Sequence, residues 1–151
     1  MKYTSEIMID VPRDEMIRIL DNADNMKHWQ KGLEKYSFLE GEPGEVGSKM
    51  QLEYQMGKRR MELVETITKR DWPKEFSATY ETKGVWNLVD NYFHEESSTS
   101  TRWVSDSTFK FSGMMRVMSW FMPTSMFKKQ SCQYLEDFKT FAEKEYQSQQ
   151  A

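Results

Sequence analysis

Apolar and polar residues change their spacing three times along the chain, and each change marks a new kind of element. Ile7 and Ile9 fall on one parity within Tyr3–Asp10, which predicts a strand. Pro12 then stands where a first helical residue belongs, with Asp14 and Glu15 suited to the positive end of the helix dipole. Met16, Ile17, Ile19 and Leu20 supply that helix with its apolar stripe. Asn22 or Asp24 can cap a second short helix carrying Met26 and Trp29, which Gly32 ends.

From Leu33 the period becomes two. Met50, Leu52, Tyr54 and Met56 alternate with Gln51, Glu53 and Gln55, the clearest strand in the chain. Gly57-Lys58 predicts a hairpin turn into a strand from Arg59 to Thr68, and Asp71-Trp72-Pro73 breaks that run. Strands follow near Glu75–Thr82, Val85–Glu95 and Thr101–Phe111, separated by Gly84 and by the polar turn Glu96–Ser100. Short turns imply antiparallel neighbours. Gly41, Gly44 and Gly47 belong to a turn between strands and form no phosphate loop.

The last third is helical. Met114–Met122 is apolar except for Arg116 and Ser119, and Pro123 ends it. Thr124 or Ser125 can cap a long final helix, on which Phe127, Ser131, Leu135, Phe138 and Ala142 share one face. Gln147–Ala151 is a polar tail expected to fray. The prediction is an α+β domain over residues 1–146: a curved antiparallel sheet of about seven strands around a long C-terminal helix, with two short helices after the first strand.

Composition narrows the functional classes. The 151 residues suit one domain. Charged residues make up 30% of the chain, which predicts a wet exterior, while nine Phe, seven Tyr and five Trp argue against disorder. A net charge of -3 with interspersed signs disfavours nucleic acid as a partner. The cluster Lys58, Arg59 and Arg60 reads as a solvated turn. A single cysteine, Cys132, precludes an intramolecular disulfide and suits a reducing compartment. The N-terminus shows no apolar signal region and no run is long enough to span a bilayer, so the expected address is cytoplasmic. His28, His94 and Cys132 show no ligand spacing, so neither metal nor cofactor is expected.

The opening YTSEIMIDVPRDEMIRILDNADNMKHWQKGL, the middle GSKMQLEYQMGKRRMELVETI and the closing MFKKQSCQYLEDFKTFAEKE together resemble the SRPBCC superfamily. These are the START-like helix-grip domains that include polyketide cyclase/dehydrase-like proteins, and the resemblance runs from about Lys2 to Tyr146. It implies a ligand cavity between sheet and last helix, but no particular reaction.

Three functions compete on this basis. The first is binding of a small hydrophobic or lipid-like ligand, with Tyr54, Met56, Met61, Tyr80, Asn91, Phe93, Trp103, Leu135 and Phe138 as expected lining. Methionine suits such a wall because it re-packs around varied apolar shapes. The second is a cyclase-like enzyme. Glu65 shares its parity with Met61, Leu63 and Ile67, and a buried carboxylate with a raised pKa can move protons; Asp106 is the other candidate. Asn87 and Asn91 can orient a polar ligand group, although both parities of the last strands carry apolar residues. The third is an interaction protein working through residues 113–127, by self-contact as a homodimer or by transient contact with a membrane surface.

Overall fold

The fold is that of a computed structural model, in which residues 1–150 are described. Seven strands form one antiparallel sheet: β1 (Lys2–Ile9), β2 (Leu33–Glu40), β3 (Lys49–Met56), β4 (Arg59–Asp71), β5 (Glu75–Thr82), β6 (Val85–Ser97) and β7 (Ser100–Phe111). Their order across the sheet is β1-β7-β6-β5-β4-β3-β2, so the first strand closes beside the last and every other neighbour follows in sequence. Between β1 and β2 lie α1 (Arg13–Leu20), a single 3-10 turn (Ala23–Asn25) and α2 (Met26–Trp29). After β7 come the short α3 (Met114–Ser119) and the long α4 (Thr124–Gln150). The predicted α+β architecture is the observed one.

Local chemistry accounts for the boundaries. Asn22 accepts the Asp24 amide at 3.1 Å and so opens the 3-10 turn. Pro12 stands just outside α1 in an extended conformation, one residue earlier than its pattern predicts. Gly113, with φ +60°, lets the chain leave β7 and enter α3. The final helix begins at Thr124 itself, directly after Pro123, and continues to Gln150. The tail expected to fray is therefore helical through Gln150.

Pleat parity sorts the side chains. Met50, Leu52 and Tyr54 of β3 face the core, and register carries that face to Glu65, Leu63 and Met61 on β4 and on to Tyr80 and Asn87. On the last two strands Asn91 and Phe93 stand opposite Ser105 and Trp103, which settles the inward row. Two apolar clusters result. The larger joins Ile9, Met16, Ile19, Phe93, Trp103 and Phe138 with their neighbours, and the smaller joins Met26, Met50, Leu52 and Tyr54.

The α4 helix lies over β1 with Leu135, Phe138 and Ala142 buried. It also manages the open edge of the sheet. Lys139 donates to the Met8 carbonyl at 2.7 Å, and Glu143 accepts the Asp10 amide at 2.8 Å. One carbonyl near the end of the edge strand and the amide just beyond it are thereby occupied. Near the other end of the contact, the Tyr3 and Ser131 hydroxyls lie 2.6 Å apart.

Candidate ligand cavity

A cavity of about 400 Å³ opens between the concave face of the sheet and the α1–α2 segment. Its wall comes from three sources, one of them the β2–β3 segment with Phe38, Pro43 and Gly44. Strands β3 to β7 contribute Met50, Glu65, Phe76, Tyr80, Asn91 and Trp103 among others, while Leu20, Ala23, Met26 and Trp29 descend from the short helices. Among the described residues, none from α4 lines it. The reason is an aromatic layer: Trp29 and Trp103 both line the cavity, and both pack edge-on against Phe138, at ring separations of 5.1 and 5.3 Å. Phe93 bridges Trp103 to Trp72 at 5.5 and 5.6 Å, and Trp72 stacks on Phe76 at 5.0 Å. Aromatic side chains thus fill the space beneath the long helix and displace the cavity toward α1 and α2.

Of the sequence-predicted residues, Glu65, Tyr80, Asn91, Phe93 and Trp103 meet at this cavity. Leu135 and Phe138 lie instead in the packed core, 4% and 0% exposed. Tyr54 is buried in the smaller cluster, and its hydroxyl donates to Gln30 at 2.5 Å. Met56 and Met61 flank the β3–β4 turn, each a little over a third exposed, and neither lines the cavity. Asp106 belongs to the outward row of β7 and accepts a hydrogen bond from Thr4 at 2.6 Å on an exposed face. It is not a cavity carboxylate.

Glu65 is the one acid deep in the wall. Burial pushes its carboxyl above the usual range, and the neighbouring Tyr80 hydroxyl partly offsets this by donating toward it. Tyr80 is itself raised well above the ordinary phenol value, first by burial and then by the Glu65 charge. Asn91 accepts the Trp103 indole hydrogen at 2.9 Å, which holds both side chains in place. By contrast the indole nitrogens of Trp29 and Trp72 are buried with no hydrogen-bond partner among the described residues. An unpaired buried donor costs about 1–3 kcal/mol.

A charged clasp sits at the cavity's outer rim. Arg70 donates to the Gly44 carbonyl at 2.6 Å and to Asp21 at 3.2 Å, so it ties the β2–β3 loop to the end of α1. Burial raises the Asp21 carboxyl, and Arg70 counteracts it. Simple alternation from Ile67 would turn Arg70 outward. A register shift between Ile67 and Lys69 reverses the parity, leaving Arg70 opposite the inward Phe76. Sequence periodicity therefore missed Arg70. It also missed Asp21, and it missed Trp72 and Phe76, for which the only signal was an aromatic pair beside a strand break.

A curved seven-stranded sheet gripping one long helix over a partly apolar cavity defines the helix-grip class. Residues 1–143 match the family described as polyketide cyclase / dehydrase and lipid transport, and the chain belongs to that family and its SRPBCC superfamily. No curated protein matches by sequence. Among solved structures, a conserved protein from Geobacillus kaustophilus is similar at a TM-score of 0.76 and 13% identity, covering 98% of this chain and 96% of its own. Ara h 8.0201 is similar at 0.74 and 11% identity, over 94% and 97%. Norcoclaurine synthase from Thalictrum flavum, solved in complex with dopamine and hydroxybenzaldehyde, is similar at 0.67 and 12% identity, over 93% and 85%. At such identities the likeness is one of fold.

Proposed function

We propose that the protein binds a compact, mostly apolar ligand carrying at least one hydrogen-bond acceptor. The observation that carries this reading is the cavity itself, about 400 Å³, walled by aromatic and methionine side chains around a few fixed polar groups. Pockets that hold small ligands span about 300–1,000 Å³ and are built in this way, so the volume favours a ring system or a short-chain lipid over a bulky one. The unpaired indole hydrogens of Trp29 and Trp72 and the enclosed Glu65 carboxyl favour an acceptor on the ligand. The family description, which names polyketides and lipid transport, agrees with that chemistry.

Native mass spectrometry of protein purified from its own host, followed by denaturation and analysis of what is released, tests the reading. A co-purifying apolar molecule is the expected result. Ala23 lines the cavity, so Ala23→Phe should abolish uptake of that molecule while the far-ultraviolet circular dichroism stays unchanged. An empty protein with no affinity for any member of a panel of fatty acids and aromatic polyketides would defeat the proposal.

One observation favours a second reading, proton-transfer catalysis. Glu65 is a carboxyl with a raised pKa, beside a phenol, in the cavity wall; such groups are suited to general acid–base work. A substrate turned over by the wild type and bound but not turned over by Glu65→Gln would favour this reading over simple binding.

A further inference from the structure

We infer that the α3 end of the molecule docks on an anionic lipid bilayer. Met114, Val117, Met118 and Phe121 recur at helical spacing and face away from the sheet, and Trp120 stands beside them. Their exposures are high: 81% for Met114, 71% for Trp120 and 83% for Phe121. Met115, on the opposite side, is what fixes the segment. Its Cγ would lie 2.8 Å from a methyl group placed on Gly84, and Ser112 donates its amide to the Gly84 carbonyl at 3.0 Å. The apolar row is therefore held outward by a close contact on its inner side, and it is not a core face left unpacked.

Charge identifies the occupant. From Ser107 to Leu135 the chain has no Asp or Glu, although it carries 24 in all, and it has Lys110, Arg116, Lys128 and Lys129. Among the described residues Arg116, Lys128 and Lys129 enter no ion pair. The β5–β6 turn brings Lys83 to the same end, because Gly84 beside it packs on α3. In a protein of net charge -3 the most exposed aromatics thus lie in an acid-free stretch that carries these unpaired cations, with Glu81 beside Lys83 the exposed acid at the β5–β6 turn. A second copy docked on the same face would set these cations against one another. An anionic bilayer instead receives Trp120 and Phe121 at its interface and the basic groups at its headgroups.

This surface lies at the far end of the sheet from Arg70 and Gly44, and the inference stands whether or not the cavity is filled. The experiment is flotation of the full chain with vesicles of phosphatidylcholine alone or mixed with phosphatidylglycerol. The protein is expected to float only with the mixed vesicles and to be released by salt. The double variant Trp120→Ser, Phe121→Ser should bind at least about tenfold more weakly, since it loses two interfacial aromatics. Arg116→Gln and Lys128→Gln should each weaken binding about fivefold. All these side chains are exposed, so unchanged circular dichroism and thermal unfolding will confirm that the variants fold. Failure to float with mixed vesicles overturns the inference, as does binding that ignores both salt and the aromatic variant. A concentration-dependent dimer that the aromatic variant abolishes, without vesicle binding, overturns it in favour of self-association.

Discussion

Glu65 shows how one residue couples stability to the cavity. Its folded-state pKa is raised, with burial as the leading cause, so the folded protein holds a proton that the unfolded chain releases near pH 4.3. The stabilising contribution is complete below that unfolded value and is lost as pH rises through the folded one. Each unit between the two values is worth about 1.4 kcal/mol. Glu65→Gln should therefore match the wild type in acid and exceed it in stability at neutral pH and above, as read from urea unfolding across a pH series. An equal difference at every pH would mean that the carboxyl titrates alike in the folded and unfolded chain, so that burial does not couple it to stability. Asp106, facing outward, has no such leverage on the cavity: Asp106→Asn should leave ligand uptake unchanged.

At the scale of elements, the long helix serves as a structural clamp and the short segments shape the site. Phe138 is fully buried beneath α4 and touches Trp29 and Trp103. Phe138→Ala should reduce stability by about 3–5 kcal/mol in denaturant titrations and loosen the aromatic layer that separates helix from cavity. The turn at Gly84 illustrates a different constraint. Its φ is +79°, and an added methyl group would meet Met115. Gly84→Ala should cost about 1–2 kcal/mol for the left-handed backbone alone, and the contact should also weaken the seating of α3. Hydrogen exchange of residues 112–120 would rise if that seating is lost.

For the whole molecule, occupancy of the cavity is expected to raise the unfolding temperature with ligand concentration, because the unfolded chain has no such site. Differential scanning calorimetry of emptied and reloaded protein measures this. No helix among the described residues is long and apolar enough to cross a membrane, so the proposed lipid contact is one of surface docking.

Period-two alternation from Met50 to Met56, glycines and prolines at the breaks, and the Leu135–Phe138–Ala142 face determined the strands, the long helix and the α+β class from sequence alone. Local spacing encodes these features, since a strand or helix must present one apolar face whatever it packs against. The inward parity of Glu65 was legible for the same reason. What surrounds that face was decided only in three dimensions. The bulge after Ile67 turned Arg70 inward, Trp29 and Trp103 filled the space below α4, and register placed Asp106 outside. A cavity is space left between elements distant in sequence. Its position depends on how bulky side chains from different elements divide the volume, and no single stretch of chain carries that information.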